Sequence, residues 1–244
     1  MKDSLSLNKK KNILITGGDS RFARELKKVF YGDNIFYKNK KELDILNIKK
    51  LEKVIKSTNP KIIIHLAGLT RPMKIHEKDI ISSINLNIIG TANLVKICAR
   101  TNIKIIYFST HFVYPCKKGN YKESDSLFPI NNYAWSKLGG EAAVQMYKNS
   151  LILRLSMSEY PFVHKSAFVD IKSNFIYNID VAKILPKILH NKGILNIGGQ
   201  KSSIYNFAKK SNPKVKRTKL KKNHFYPKDS STNIKKMNKI LKKK

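Results

Sequence analysis

Short apolar runs alternate with helix-like stretches six times along this chain, and this alternation limits the fold more than any other feature. Each run is rich in Ile, Leu or Val, and the stretches between them carry apolar residues at helical spacing. Strands that alternate with helices form an open parallel sheet with right-handed crossovers. The sequence therefore predicts an α/β fold with a doubly wound parallel sheet. The predicted strands cover residues 12–16, 34–38, 61–66, 105–110, 150–155 and 193–197.

The first strand runs into a glycine turn that favours phosphate binding. Gly17 and Gly18 follow the strand, and a helix begins a few residues later. The backbone N–H groups of such a turn, together with the helix dipole, face the pyrophosphate of a dinucleotide. The usual fingerprint has two further glycines, and this chain has Ser20 and Ala23 in their places. Ser20 crowds the phosphate, whereas helix–strand packing tolerates Ala23. An ordinary strand–helix turn is the alternative interpretation.

Lysines stand where the second strand ends, at the place that selects between the two nicotinamide dinucleotides. NAD-selective folds carry an acid there that holds the ribose 2′-hydroxyl. This chain has Asn39, Lys40 and Lys41 instead, which suit a 2′-phosphate. The sequence therefore favours NADP and leaves NAD possible. In a chain so rich in lysine, solvated surface lysines are the alternative.

The third strand ends in two small residues, Ala67 and Gly68. Small residues at a strand end let a flat cofactor lie against the backbone. His65 lies in the apolar part of the same strand. We therefore predict a core histidine with satisfied hydrogen bonds rather than a ligand.

Tyr133 and Lys137 are four residues apart and lie on one face of a predicted helix. An ammonium so close favours the phenolate, so we expect a pKa of Tyr133 below the reference value of about 10. A tyrosine tuned in this way donates a proton near neutral pH. Ser109 and Thr110 end the fourth strand and bring a hydroxyl pair to the carboxyl edge of the sheet, where such folds place their sites. The Tyr-x-x-x-Lys spacing alone also fits an exposed helix turn.

Charge and composition narrow the class of protein. The chain has 244 residues and a formal net charge of +33, of which residues 201–244 carry +15. Basic residues are scattered throughout, so a compositional bias explains the charge better than a nucleic-acid patch, and a basic surface also attracts an anionic sugar nucleotide. Cys98 and Cys116 have neither metal-ligand nor disulfide spacing, which suits a reducing cytoplasm. No run approaches the roughly 20 apolar residues of a membrane span, and residues 1–12 lack the apolar segment of an export signal.

The order of these motifs resembles a known family. The chain is similar to the extended short-chain dehydrogenase/reductases and, within them, to the dTDP-4-dehydrorhamnose reductase branch of sugar-nucleotide enzymes. The similarity covers residues 12–199 and is thinner beyond. Each motif is unspecific alone, but their shared order and spacing are characteristic. The matching elements are Thr16-Gly17-Gly18, Leu43-Asp44-Ile45, Leu66-Ala67-Gly68, Asn87 to Thr91, Ser109 to Tyr114, Tyr133 to Glu141, and Asp180-Val181-Ala182.

The resemblance implies a Rossmann-type dinucleotide-binding domain at residues 1–155 and a small substrate-binding portion at residues 156–244, which includes the sixth strand and a basic C-terminal helix. It implies that Thr110, Tyr133 and Lys137 are catalytic, with Tyr133 as the proton donor and Lys137 holding the nicotinamide ribose. No metal is implied. The implied cofactor-binding residues are Gly17, Ser20, Arg21, Phe22, Asp44, Ile45, Leu66, Ala67, Gly68, Asn87, Tyr133 and Lys137. The candidate substrate-binding residues are Arg71, His111, Arg154, His164 and Lys165.

Departures from the family pattern separate the possible activities. The family's reductases often have Asp after the catalytic Thr, where this chain has His111. The superfamily's dehydratases need an Asp-Glu pair there, and its GDP-fucose synthase-like epimerases need a cysteine at the position of Phe112. We therefore predict an NAD(P)-dependent reductase of a nucleotide-linked keto sugar and a possible homodimer. A nucleotide-sugar 4-epimerase and a non-catalytic dinucleotide-binding regulator are the alternatives.

Overall fold

Six parallel strands form the central sheet of the computed structural model, which describes residues 11–221 and 227–242. The strands are β1 (Ile13–Thr16), β2 (Ile35–Lys38), β3 (Ile62–His65), β4 (Lys104–Phe108), β5 (Ser150–Leu155) and β6 (Gly193–Ile197). Their order across the sheet is β6-β5-β4-β3-β1-β2. This arrangement confirms the predicted Rossmann-type, doubly wound fold.

Helices cover both faces of the sheet, so its four inner strands are buried along their whole length. The helices are α1 (Arg21–Val29), α2 (Ile48–Thr58), α3 (Ile75–Lys78), α4 (Ile80–Thr101), α5 (Asn132–Gln145), α6 (Asn178–Ile188), α7 (Ile204–Lys209) and α8 (Lys235–Lys242). Residues of α1, α6 and α8 pack on one face, and residues of α2, α4 and α5 pack on the other. Every residue of β1, β3, β4 and β5 is buried, as parallel sheets with crossover helices require.

The strand order reverses between β1 and β3, and this creates a crevice at their carboxyl ends. β1 pairs with β2 on one side and with β3 on the other, so connections leave the sheet in opposite directions here. Gly17, the first residue after β1, has a φ of +67°. A Cβ on Gly17 would lie 2.7 Å from the backbone nitrogen of Ala67. The predicted glycine turn is therefore required by the close approach of the chain after β3.

Helix α4 contains a π-helical segment, Ile84–Ile89, which carries Asn87. Such segments are frequent at functional sites. Among residues 11–221 and 227–242, α4 is also the one helix long and apolar enough to cross a membrane, by length and composition only. The sequence predicts no run that approaches the roughly 20 apolar residues of a membrane span. Leu94, Ile97 and Cys98 of α4 are buried against the sheet, and this packing accounts for the apolar composition.

The region after β5 differs from its prediction. Weak alternation predicts a loop over residues 156–178, but the structure contains four short strands, Met157–Ser158, Ser166–Phe168, Lys172–Ser173 and Ile176–Tyr177. Two of these pair with Ser202–Ser203 and Lys216–Thr218. Because these partners are distant in sequence, no local pattern indicates them. The division into residues 1–155 and 156–244 stays a prediction, and residues 1–10, 222–226 and 243–244 of those ranges lie outside the described residues.

Candidate active site

A cleft of about 1000 Å³ opens where β1, β3, β4 and β5 end. Its volume is within the range of ligand pockets. Most of the predicted site residues line it, although they come from separate parts of the chain. Those residues are Ser20, Arg21, Phe22, Leu66, Gly68, Arg71, Thr110, His111, Tyr133, Lys137, His164 and Lys165.

Thr110 and Tyr133 meet in this cleft because a strand ends and a helix begins there. The Asn131 side chain caps α5 by accepting a hydrogen bond from the backbone N–H of Ala134 at 2.8 Å, which places Tyr133 in the first helical turn. Burial, the largest effect, raises the pKa of Tyr133 to about 12. A hydrogen bond with the Thr110 side chain and the charge of Arg71 oppose that rise. The Thr110 and Tyr133 side chains are therefore close enough to influence each other.

Lys137 lies one helical turn beyond Tyr133 and is almost fully buried, at 6% exposed. Burial lowers the pKa of its ammonium to about 7, and the charge of Glu141 opposes this shift. Its Nζ lies 4.2 Å from the centre of the Tyr107 ring. The prediction that Lys137 lowers the pKa of Tyr133 is wrong. Burial raises that pKa, and the cation that opposes the rise is Arg71.

Ser20, which replaces a glycine of the dinucleotide fingerprint, caps helix α1. Its Oγ accepts a hydrogen bond from the backbone N–H of Ala23 at 3.2 Å, as N-cap residues do. Arg21 and Phe22 follow at the edge of the cleft. Phe22 packs against Phe108, with 5.1 Å between the ring centres. The Ser20 hydroxyl is therefore hydrogen-bonded to the first turn of α1, and this bond fixes the turn before the helix.

Sequence reasoning missed Glu159, which joins two arginines in the cleft. Its Oε1 accepts hydrogen bonds from Nη1 of Arg21 at 2.7 Å and from Nη1 of Arg71 at 3.0 Å. Burial is the largest single effect on the pKa of Glu159 and raises it, but the hydrogen bonds and the two arginine charges together lower it. The arginines are 138 and 88 residues away in sequence. No local pattern around Glu159 therefore indicates this bridge.

Asn87 fixes the loop after β3 and does not line the cleft. Its Oδ1 accepts a hydrogen bond from the backbone N–H of Leu69 at 2.7 Å, and its Nδ2 donates to the Leu69 carbonyl and to Ser136 Oγ. A Cβ on Gly68, whose φ is +157°, would lie 2.8 Å from Asn87 Oδ1. Asn87 thus ties the loop that carries Arg71 to α5, the helix of the catalytic candidates.

His65 is a core histidine, as predicted. Its Nδ1 lies 2.8 Å from Thr16 Oγ1, and its Nε2 lies 3.0 Å from Thr91 Oγ1. Burial lowers the pKa of His65 to about 3, and the charge of Lys137 adds to that shift. A neutral, doubly hydrogen-bonded ring holds the third strand to α4.

Arg154 is buried away from the cleft, so its predicted contact with substrate is wrong. It is 2% exposed and forms an ion pair with Glu141, which is fully buried. Its Nη1 donates to Tyr114 Oη at 2.8 Å and to the Glu123 carbonyl at 3.1 Å. These partners hold the guanidinium in the core.

A second cavity, of about 630 Å³, lies at the end of β2, where the sequence predicts cofactor selection. Asp44 lines it and accepts a hydrogen bond from the backbone N–H of Leu46 at 3.0 Å. Ile45 is 3% exposed and packs in the core against Gly90, so its side chain does not line either cavity. The lining residues are Asp19, Asn39, Lys40, Lys41, Asp44, Asn47 and Lys50.

Residues 11–164, more than half of the chain, match the family described as the RmlD substrate binding domain. The chain belongs to this family. Among curated relatives of this family member, the dTDP-4-dehydrorhamnose reductase of Aggregatibacter actinomycetemcomitans is 30% identical over 191 residues, which cover 76% of the chain and 59% of that protein. Methionine adenosyltransferase 2 subunit beta of Xenopus laevis is 31% identical over 114 residues, which cover 46% of the chain and 34% of that protein. The chain thus spans less than two thirds of the length of these relatives.

Solved structures with the same fold are similar over nearly the whole chain. A dTDP-4-dehydrorhamnose reductase from Bacillus anthracis in complex with NADP has a TM-score of 0.83 at 23% identity, covering 94% of this chain and 92% of that one. The Bordetella bronchiseptica enzyme WbmG in complex with NAD and UDP has a TM-score of 0.72 at 18% identity, covering 94% and 87%. At these identities the likeness shows a shared fold. Together with the family match, it confirms the resemblance seen in the sequence of this RmlD-family chain.

Proposed function

We propose that the protein is an NAD(P)-dependent reductase of a nucleotide-linked keto sugar. The observation that carries this proposal is the meeting of Thr110, Tyr133 and Lys137 in one cleft with the capped glycine turn. The proposal is supported by the Aggregatibacter relative, which is a dTDP-4-dehydrorhamnose reductase, and by the NADP bound in the Bacillus structure. The backbone at Gly17 lies too close to Ala67 to admit a Cβ, and the cleft extends from Ser20 to Tyr133. The residues present therefore fit a dinucleotide.

The proposed chemistry follows from the donors in the cleft. A bound nicotinamide dinucleotide supplies a hydride to the carbonyl carbon of the sugar. Tyr133 gives its proton to the carbonyl oxygen, and the Thr110 hydroxyl donates a hydrogen bond to that oxygen as negative charge develops. Lys137, whose pKa burial lowers to about 7, would hold the ribose of the nicotinamide when the cofactor is bound. The turn at Ser20 and the Arg21 side chain would hold the pyrophosphate.

Turnover of keto-sugar nucleotides tests this function. The purified protein is mixed with 4-keto sugars linked to dTDP, UDP or GDP, with NADPH or NADH, while nicotinamide absorbance is followed. We expect one of these substrates to oxidise the cofactor in proportion to the alcohol formed. No oxidation with any keto sugar, under conditions in which the cofactor binds, would remove the proposal.

We infer that NADPH is preferred because Lys40, Lys41 and Lys50 line the cavity at the end of β2, against the acids Asp19 and Asp44. Replacing both Lys40 and Lys41 by Ser is expected to raise KM for NADPH about 10- to 100-fold and to change KM for NADH about twofold at most. Steady-state kinetics at two salt concentrations measures this. Lys49→Ser, an exposed lysine outside that cavity, is the control. Equal losses with both cofactors would contradict the assignment.

A non-catalytic subunit is the second candidate, because several relatives carry the name methionine adenosyltransferase 2 subunit beta. The presence of Thr110, Tyr133 and Lys137 in one cleft weighs against it, since a binding subunit needs no proton donor. A nucleotide-sugar 4-epimerase would use the same tyrosine but retain its NAD through each cycle. Stoichiometric NAD in the purified protein, with no net cofactor oxidation, would favour the epimerase.

We infer a homodimer from an apolar surface on α4 and α5. Ile81 is 73% exposed and Trp135 is 52% exposed, and Ile80, Ile84 and Ile89 extend this surface. Two-fold pairing would bury the same residues of both copies, as isologous interfaces do. Light scattering should then give twice 28.0 kDa, and Ile81→Glu should give the monomer mass. Tyr31→Ser, 75% exposed and remote from α4 and α5 in sequence, is the control that should stay dimeric; a monomeric parent protein would contradict the inference.

The buried free thiols of Cys98 and Cys116 agree with the cytoplasmic location that we propose. Nicotinamide dinucleotides and sugar nucleotides are also the ligands that this location offers. We do not propose a nucleic-acid partner, because the site chemistry accounts for an anionic nucleotide ligand.

A further inference from the structure

The imidazole of His111 has one nitrogen whose hydrogen-bonding capacity is unused. His111 follows Thr110, lines the cleft and is only 2% exposed. Its Nδ1 lies 3.4 Å from the backbone carbonyl oxygen of Leu155. Its Nε2 has no hydrogen-bond partner among residues 11–221 and 227–242. A buried polar atom without a protein partner is costly, so a water or a group of a bound ligand has to satisfy it.

The chemistry of the two ring nitrogens fixes what Nε2 is able to bind. A carbonyl oxygen only accepts hydrogen bonds, so Nδ1 carries the hydrogen and donates it to Leu155. Burial lowers the pKa of His111 to about 4, although the hydrogen bond to Leu155 opposes that shift. The ring is therefore neutral near pH 7, and its Nε2 is a lone-pair acceptor. The group that satisfies Nε2 has to be a hydrogen-bond donor.

A keto sugar offers two kinds of oxygen to this cleft. The carbonyl oxygen is an acceptor, and the donors Thr110 and Tyr133 serve it. The ring hydroxyls are donors. We propose that His111 Nε2 accepts a hydrogen bond from a free hydroxyl of the sugar ring and thereby selects substrates that carry this hydroxyl. The inference rests on the proposed function and specifies the class of keto sugar that the site takes.

The surroundings of His111 agree with this role. His111 and Thr110 are consecutive, with Cα atoms about 3.8 Å apart, and both line the cleft. Phe112 and Phe175 flank the imidazole, with ring centres at 4.1 and 6.2 Å. Aromatic neighbours limit the access of water, so a substrate lacking the hydroxyl leaves Nε2 unpaired. Sites built in this way reject the deoxy analogue strongly.

Calorimetry on the complex of the whole protein with NADP⁺ tests this selection. The probes are dTDP-, UDP- and GDP-glucose and, for the nucleotide that binds, analogues that each lack one ring hydroxyl. We expect one analogue to bind about 10- to 100-fold more weakly than its parent sugar. His111→Phe should weaken binding of the parent sugar by the same factor and abolish the discrimination. His111→Gln keeps an acceptor oxygen and should retain most of the discrimination.

Imidazole ¹⁵N resonances give a readout that a packing role would not change. We expect Nδ1 to be protonated and Nε2 to be unprotonated in the free protein, and only Nε2 to shift when glucose nucleotide binds. Three outcomes would overturn the inference: protonated Nε2 in the free protein, discrimination that survives in His111→Phe, or no binding of any glucose nucleotide. Selective binding without hydride transfer to any keto sugar would instead remove the proposed reductase activity and leave the His111 assignment standing.

Discussion

Tyr133→Phe is expected to lower kcat/KM for keto-sugar reduction about 10²- to 10⁴-fold, the usual contribution of a positioned acid. The phenyl ring keeps its packing against His76, whose ring centre lies 5.0 Å away. NADPH affinity and the unfolding temperature should therefore change little. Steady-state kinetics, cofactor titration and thermal unfolding of the same preparation measure the three quantities.

Tyr147→Phe is the matched control for this prediction. Tyr147 Oη donates a hydrogen bond to the Ile103 carbonyl at 3.0 Å, outside the cleft. Its loss should cost about 1 kcal/mol of the free energy of unfolding and leave turnover within about twofold of the parent protein. Full reductase activity in Tyr133→Phe would show that another group supplies the proton.

Lys137→Met is expected to stabilise the fold while it removes activity. Burial holds the pKa of Lys137 at about 7 in the folded chain, against 10.5 for a free lysine. Below about pH 7 the folded state must bury a charged ammonium, and this penalty disappears as pH rises towards the pKa of the unfolded chain. Methionine should therefore raise the free energy of unfolding by about 2–4 kcal/mol near pH 6 and by much less near pH 10. Urea unfolding at both pH values measures this change.

The expected loss of turnover in Lys137→Met is at least about 10²-fold, because the group that would hold the nicotinamide ribose in the cleft is removed. Lys104→Met is the control. Lys104 is also buried, its pKa is lowered to about 8 by burial and by the charge of Lys192, and its Nζ donates to the Asn191 carbonyl, remote from the cleft. Its replacement should leave turnover intact. Lower stability of Lys137→Met at pH 6, or unchanged activity, would contradict the assigned role.

The central sheet was predictable because its signals are local. Each strand is a short apolar run beside a helix with apolar periodicity, so the six strands appear close to their predicted places. The short strands of residues 156–178 were not predictable, since two of them pair with partners distant in the chain and the other two pair only with each other. A strand of two residues is too short to show a periodic pattern, so it cannot be recognised in the sequence without its partner.

The sequence predicts the candidate site correctly where one motif carries the chemistry. The prediction is wrong where burial decides the position or the pKa of a side chain. The spacing of Tyr133 and Lys137 and the end of the fourth strand at Thr110 indicate one cleft, and all three line it. Arg154 looked like an anion-binding residue, but Glu141 pairs with it in the core. The direction of the Tyr133 pKa depends on desolvation, which a sequence does not display.

Transfer of deuterium from cofactor to sugar tests the account most directly. NADPH labelled at the reactive nicotinamide carbon is incubated with the keto-sugar nucleotide and the protein, and the product is analysed by mass spectrometry and NMR. We predict one deuterium on the former carbonyl carbon and one oxidised cofactor for each alcohol formed, with label transfer slowed about 10²- to 10⁴-fold in Tyr133→Phe. A product without deuterium, or turnover that leaves the cofactor pool unchanged, would contradict the reductase account.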